Sequence, residues 1–463
     1  MATDPVKHIR DFEHASPLAL DLPPTLARLA ALPPSPDAPY LTVCFDAREE
    51  GSDPGRTPPP PPLRSQLHGN FVRDRQGVPR RPARQELQQW LDDLLAKHEP
   101  HTPAYESIAA DANRIVDYVD RELDPAARGL ILVACNGQGV FEPTPLDIPL
   151  DTRLTTGPVP SLRPMVHAAD DFPLFAVIVA DQREAALWLF SRETWQSGVE
   201  FAADGYPRKQ QQGGWSQKRY QDRADVRVEA FAKTVADETF HEIYDRDQRG
   251  IPAEKIAYLV VAADEPMATA LENQFHETVK RRIIGRIHLA IDVGVNEVVD
   301  ATLPLVERAE RQREAEAVQS VRDGVGTRLN GAAGADATLR TLVIGQVITL
   351  VMNDDFSQPG WADYTYPVYG VGAPPAVHPA GGDVANIVPT ALEDEMIRLA
   401  LQTDATIELV QSAVPVGAGE IEHVPDAAEP LPRSDAAKAL DALGGVGAVF
   451  RYELTPADEG GRG

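Results

Sequence analysis

A chain of 463 residues is too long for one ordinary core and implies about three domains at roughly 100–200 residues each. Its formal charge of -26 and pI near 4.8 exclude a general nucleic-acid coat, which needs extended Lys/Arg surface, so any RNA contact has to be local. The only cysteines, Cys44 and Cys135, lie in separate apolar segments without CxxC spacing, which argues against a disulfide framework or structural zinc and for buried reduced thiols. The opening MATDPVKHIRDFEH lacks an apolar core before a small-residue cleavage site, and the longest apolar run, Leu342 to Met352, is too short to span a bilayer. A cytoplasmic protein with no membrane partner is expected.

The first domain is expected over residues 1–150. Proline-rich punctuation around Leu22 to Pro36 leads to the β-branched and aromatic run Tyr40 to Phe45, a buried strand by composition. The segment Gly51 to Pro62, with five successive prolines, cannot join a sheet and reads as a stiff spacer. Arg84 to His98 carries one apolar face made of Leu87, Trp90, Leu91, Leu94 and Leu95, so it is read as a helix. A second helix is expected from about Ala104 to Glu122. Gly129 to Cys135 is another buried strand, and Asn136-Gly-Gln-Gly139 is a tight turn rather than a functional glutamine loop. Pro143 to Pro164 is dense in proline and threonine and reads as an extended linker.

The middle domain is expected over residues 165–300. Leu174 to Ala180 and Ala185 to Phe190 flank a polar turn and predict a hairpin; a further strand near Val199 to Ala202 follows. Tyr220, Ala224, Val228, Phe231 and Val235 recur at three- and four-residue steps, so a long amphipathic helix begins at Gln217. Ile256 to Ala262, a helix from about Glu265 to Thr278, and Ile283 to Ile291 continue a strand-helix-strand alternation. The basic island of Lys280, Arg281, Arg282 and Arg286 fits a solvated strand edge and an RNA contact equally well.

Residues 301–463 form the expected third domain, entered by a long helix from about Glu297 to Arg322. A helix near Leu339 to Ile344 and a strand Val347 to Met352 lead to Asn353-Asp354-Asp355. That acidic pair is more readily a strand terminator than a metal site. An irregular stretch Phe356 to Asp383 precedes a helix around Ala391 to Thr403, a strand Ala405 to Ser412, a helix capped by Ser434, and a glycine-led final strand from Gly444. That glycine cluster has no helix after it and fails the dinucleotide fingerprint. The alternation as a whole predicts α/β and α+β architecture in three domains, with mixed sheets and flanking helices.

Between the strand near Val199 and the helix at Gln217 lies YPRKQQQGGWSQKRYQDR, Tyr206 to Arg223. Arg208, Lys209, Lys218 and Arg219 enclose a Gly213-Gly214 hinge with no acid until Asp222, a local reversal of sign that asks for an anionic partner. Trp215 offers a stacking face, Ser216 a hydroxyl, Arg223 a further cation, and Gln217 both an amide donor and an acceptor. Phosphate-loop, HExxH and GxSxG motifs are absent, and His241-Glu242 and His276-Glu277 lack the second histidine for chelation, so no metal or cofactor is expected.

The GGWSQ-KRY loop entering a long helix, the strand Val347 to Asp354 and the ending GGVGAVFRY make the chain resemble the archaeo-eukaryotic class I release factor and Pelota superfamily. Its bacterial branch, which includes ribosome hibernation factors of the Balon type, is the nearer likeness. The resemblance implies a release-factor/Pelota-like arrangement that docks in the ribosomal A site. It makes Gly213, Gly214 and Gln217 the catalytic loop, acting on the ester of peptidyl-tRNA in the peptidyl-transferase centre. Arg208, Lys209, Trp215, Ser216, Lys218, Arg219 and Arg223 then become the contacts to ribosomal RNA and tRNA. An elongation-factor-type GTPase is implied as a delivery partner. Release factors carry Gly-Gly-Gln without interruption, whereas here Trp215 and Ser216 intervene, a looser spacing similar to that of the eukaryotic peptidyl-tRNA hydrolase of ribosome quality control. No Asn-Ile-Lys-Ser stop-codon loop is present, so codon-dependent termination is not implied. A non-catalytic hibernation role is the alternative.

Overall fold

A computed structural model describes residues 6–13, 22–48, 81, 83–146, 148–170, 174–191, 194–203, 217–244, 256–327, 330–413 and 432–452. The first third carries β1 (Val6–Glu13), α1 (Leu22–Ala30), β2 (Tyr40–Asp46), α2 (Ala83–Leu95), α3 (Pro103–Arg121), β3 (Gly129–Cys135), β4 (Val140–Leu146), β5 (Arg153–Gly157) and α4 (Arg163–Asp170). The middle adds β6 (Leu174–Ala180), β7 (Glu184–Ser191), β8 (Thr194–Ala203), α5 (Gln217–Tyr244), β9 (Ile256–Ala263), α6 (Glu265–Gln274), α7 (Glu277–Lys280), β10 (Ile283–Ile287) and α8 (Val295–Thr327). The last part holds β11 (Gly331–Ala333), α9 (Ala335–Val343), β12 (Val347–Asn353), β13 (Pro359–Asp363), β14 (Val368–Val371), β15 (Ile387–Ala391), α10 (Leu392–Gln402), β16 (Thr406–Val410), α11 (Asp435–Asp441) and β17 (Val446–Phe450). These make a mixed α/β protein with four sheets and flanking helices, the class that the strand-helix alternation implied.

By compactness the chain forms two units, residues 1–17, 53–71 and 172–310 in one and 18–52, 72–171 and 311–463 in the other. The division into 1–150, 165–300 and 301–463 stays a proposal beside this.

The first unit is built on a six-stranded sheet in the order β1-β8-β7-β6-β9-β10. The expected hairpin is β6 and β7, turned by Asp181, whose Oδ1 accepts from the N–H groups of Arg183 at 2.6 Å and Glu184 at 2.7 Å. Alternate side chains of β6 and β7, among them Phe175, Val177, Trp188 and Phe190, pack with Val298, Val299 and Val306 of α8. The intervening residues Ala176, Ile178, Leu187 and Leu189 are buried as well, so both faces of the sheet are covered. The opening segment, read in sequence only for the lack of a signal peptide, supplies β1, which pairs antiparallel with β8 from Val6↔Ala203 to Glu13↔Ser197.

In the second unit a four-stranded sheet, β4-β3-β2-β5, buries Leu41, Val43, Phe45, Leu130 and Leu132 against α2 and α3. Helix α3 starts where sequence placed it because Thr102 caps it, its hydroxyl accepting from Tyr105 N–H at 3.2 Å, with Pro103 at the first helical position. The Asn136–Gly139 turn is structural, as expected. Asp111 accepts from Asn136 N–H at 2.8 Å, Ser107 Oγ from Gly137 N–H at 3.0 Å, and Gly139 takes φ 66°. Cys44 and Cys135 are buried free thiols. A second sheet, β11-β17-β12-β16, packs on α8 and α11 through Val321, Val351, Val410 and Leu440, and a third, β14-β13-β15, lies beside α10.

Several expectations are corrected. Pro143 to Pro164 is no linker: it contains most of β4, all of β5 and the start of α4. Pro143 and Pro145 are tolerated because β4 is an edge strand among the described residues, where its one partner is β3. The proline-rich stretch from Leu22 hides helix α1, whose Pro23 and Pro24 fall in the first turn, where their missing N–H groups have no intrahelical acceptor to lose. Phe356 to Asp383 contains β13 and β14, whose short runs and glycines masked the strand pattern. The helix expected to reach Thr278 stops at Gln274, because Phe275 turns extended (ψ 140°) to bury its ring; α7 then restarts with His276 as its cap. The strand from Ile283 ends at Ile287 rather than Ile291. The proline run within Gly51 to Pro62 lies outside the described residues.

Candidate functional site

The candidate segment is bracketed by β8 and α5. Because β8 lies antiparallel to β7, as β6 does, and β9 and β10 run parallel to β6, the strands β6, β8, β9 and β10 all finish at one margin of the sheet. The chain therefore leaves Ala203 at the carboxyl margin of the parallel strands, the side on which open α/β sheets gather ligands. It re-enters the described structure at Gln217, the first residue of α5, so a strand-to-helix connection is present as the periodicity implied. Arg208, Lys209, Gly213, Gly214, Trp215 and Ser216 lie outside the described residues.

Of the other candidate residues, Gln217, Lys218, Arg219 and Arg223 occupy the first two turns of α5. The first four N–H groups of a helix have no intrahelical acceptor, and the helix dipole adds positive potential at this terminus. Farther along, Val228, Phe231, Ala232, Val235, Ala236, Thr239 and Ile243 are buried, a stripe at steps of three and four, where α5 packs with α6. From Gln217 to Val228 the helix rises roughly 16 Å. Thr239 satisfies its hydroxyl by donating to Val235 O at 2.6 Å.

The second basic island spans the end of α7, the turn after it and the edge strand β10. β10 is the last strand of its sheet, Lys280 pairs with Glu277 at 3.0 Å, and Arg286 makes a two-pronged ion pair with Glu272 and approaches Glu265. Arg282 is spent on backbone, donating to Ile256 O at 2.7 Å and Thr278 O at 3.0 Å. Asp354 and Asp355 likewise do structural duty. Asp354 accepts from the N–H of Ser412 at 3.0 Å and from its hydroxyl, while Arg433, 2.7 Å away, holds the Asp355 carboxyl below the usual range. Arg433 also reaches Asp441 at 2.5 Å. Among the described residues no group of three or more His, Cys, Asp or Glu is disposed to hold a metal ion, and no helix is long and apolar enough to cross a membrane.

What sequence reading missed is an acidic first turn on α10, where Glu393, Asp394 and Glu395 follow one another. Ser161 Oγ donates to Asp394 at 2.7 Å, Ser357 Oγ to Glu393 at 2.9 Å, and Arg398 Nε to Glu395 at 3.0 Å. Acids at a helix N-terminus signal a stabilised helix start, and nothing in the order of residues pairs Ser161 with Asp394.

Residues 160–312 match the family model Bacterial archaeo-eukaryotic release factor family 10. A curated relative, peptide chain release factor subunit 1 of Methanococcoides burtonii, is 23% identical over 202 residues, which cover 42% of this chain and 47% of the relative. The match thus spans about half of that relative's length. Among solved structures, an archaeal translation termination factor aligns over 93% of this chain and 98% of its own at 14% identity and TM-score 0.22. Dom34 of S. cerevisiae, a translation termination-like factor involved in RNA quality control and interacting with Hbs1, aligns over 69% of this chain and 76% of its own at 10% identity and TM-score 0.36.

Proposed function

We propose, from the match of residues 160–312 to the model of bacterial archaeo-eukaryotic release factor family 10, that this chain is a release-factor-like translation factor that docks in the ribosomal A site and hydrolyses peptidyl-tRNA independently of the codon. The observation that supports this reading is that the family match brackets the whole β8-to-α5 connection. Within that connection and the first residues of α5, a strongly acidic chain places four cations and no acid from Tyr206 to Gln221.

In this reading Gly213 and Gly214 let the backbone approach RNA closely, and Arg208, Lys209, Lys218, Arg219 and Arg223 neutralise phosphates of ribosomal RNA and tRNA. Trp215 stacks on a base, a contact worth about 1–3 kcal/mol in single-strand systems, and Ser216 hydrogen-bonds beside it. Gln217 cannot act as a strong base. Its amide orients the attacking water, and the free N–H groups of the α5 start stabilise negative charge developing on the ester oxygen. An elongation-factor-type GTPase delivers the factor. The test is single-turnover peptide release on ribosomes loaded with peptidyl-tRNA. Gln217→Ala should keep ribosome binding and slow release by ~10²–10³, as expected for loss of one positioned polar group; an unchanged rate removes Gln217 from the chemistry.

The Trp215-Ser216 insertion between the glycines and Gln217 favours a second reading, a non-catalytic occupant of idle ribosomes of the hibernation type. It predicts wild-type binding to vacant ribosomes with no release from loaded ones.

A further inference from the structure

Within the second unit, helix α4 is tied at both ends to the last part of the chain. At its start Arg163 donates to Asp354 O and lies 3.8 Å from Glu393, and just before it Ser161 Oγ donates to Asp394 at 2.7 Å. At its end Asp170 pairs with Arg313 and accepts from Leu409 N–H at 3.0 Å. The segment that leads into α4 is held on its other side by the first sheet. Ser161 N–H donates to Thr42 Oγ1 at 3.1 Å, and Pro158 O accepts from Ser35 N–H at 2.7 Å. Met165, Val166 and Ala168 are buried. A short helix thus bridges the sheet β4-β3-β2-β5 and the sheet β11-β17-β12-β16.

Like charges crowd the place where α4 begins. Glu393, Asp394 and Glu395 are consecutive on the first turn of α10. Arg398 meets Glu395 at 3.0 Å and Arg163 stands beside Glu393, whereas Asp394 meets the Ser161 hydroxyl. Charges on the other elements packed against α10 are engaged elsewhere: Arg28 of α1 with Glu142, Asp336 and Arg340 of α9 with each other, Glu408 of β16 with Arg313, and Asp363 of β13 with His378. β12 and β15 carry none, and α4 adds His167 one turn beyond Arg163. An ionised Asp394 therefore sets three adjacent anions against two cations, and a proton on it removes the excess while leaving the bond from Ser161.

We infer that α4 is a latch between these two sheets, that it opens as one segment while both cores stay folded, and that acid holds it closed through Asp394. The direction follows from burial, which pushes the Asp394 carboxyl up to about 7 in the closed form, while opening returns it toward the ordinary value of about 3.9. Between those values the closed form binds a proton that the open form does not. Closing therefore weakens about tenfold per pH unit across that interval and levels off above it. The latch does not depend on what the loop before α5 does.

The test is amide-resolved hydrogen exchange on the full chain from pH 5 to 8, corrected for the intrinsic pH dependence of exchange. The amides of α4 and Leu409 N–H should exchange together and ahead of β3, with protection that falls about tenfold per unit up to about pH 7 and then levels. Asp394→Asn, neutral at every pH, should hold α4 near the wild-type acid value throughout. Asp170→Asn removes the ion pair at the other end and should lower α4 protection about tenfold at every pH while keeping the slope, as loss of a charged hydrogen bond does. Exchange of α4 only together with β3 overturns the latch, and so does undiminished α4 protection in Asp170→Asn. A pH profile that survives in Asp394→Asn overturns its control by that carboxyl.

Discussion

Asp394 shows how much one side chain's environment alters its chemistry. Burial pushes its carboxyl up to about 7, the neighbouring Glu393 and Glu395 push the same way, and Ser161 and Arg163 push back. The folded protein therefore holds a proton on Asp394 at a pH where the unfolded chain, titrating near 3.9, has released it. Stability from this group is fully present below about pH 4 and is lost as pH rises through about 7. It amounts to a few kcal/mol at most, at about 1.4 kcal/mol for each pH unit by which the carboxyl is raised. Asp394→Asn keeps the shape and stays neutral. Thermal melts of both proteins from pH 4 to 8 should show the variant gaining on wild type as pH rises; parallel curves would mean that Asp394 is charged in the fold. Arg398 shows the same dependence on fold. It donates to Glu395 and, at 3.1 Å, to Tyr369, and burial beside Glu395 raises the Tyr364 hydroxyl well above its ordinary range. Each of these residues is visible in the chain; their grouping is not.

Elements formed where local chemistry and tertiary demand agreed. Helix α3 has a cap, a proline at its start and an apolar stripe, and the helix that begins at Asp435 has Ser434, whose hydroxyl accepts from Ala437 N–H at 3.1 Å. The small sheet of β13, β14 and β15 had no such signal, and its logic is cross-strand. Trp361 pairs with Gly370, and a Cβ on that glycine would sit 2.2 Å from the indole, so the ring lies across the bare backbone. Gly370→Ala should displace the ring and cost about 1–3 kcal/mol, the usual penalty for overpacking. A denaturant titration with near-ultraviolet circular dichroism reads both effects; an unchanged midpoint and aromatic signal would refute the close packing. The glycine-led last strand follows related reasoning. Gly444 and Gly445 take φ of 97° and 76°, and a Cβ on Gly444 would meet Gly334 Cα at 3.0 Å, so those glycines make a turn against backbone.

At the scale of the molecule, sequence order and compactness part company. β1 is the first element of the chain yet completes the sheet whose other strands begin at Leu174, and it covers the edge of β8, the strand that leads into the candidate site. Removing residues 1–13 should strip β8 of that ladder, and amide exchange across Thr194–Ala203 should accelerate while β6 and β9 keep their protection. Undiminished protection of β8 would show that its pairing with β1 contributes nothing to the sheet. Apolar and β-branched runs marked β2, β3, β6, β7 and β9, three- and four-residue spacing marked α2, α3 and α5, and Ala- and Glu-rich composition marked the long α8, because each of these signals is carried by neighbouring residues of a single strand or helix. The same reading isolated Gln217 and its basic neighbours, since a reversal of charge is a property of consecutive residues. Which strand neighbours which, that β4 and β5 belong to a sheet, and that Ser161 meets Asp394 or Trp361 lies over Gly370 were left to tertiary structure. These pairings join segments with no local signal linking them, and only burial of a shared core makes one such arrangement lower in free energy than the rest.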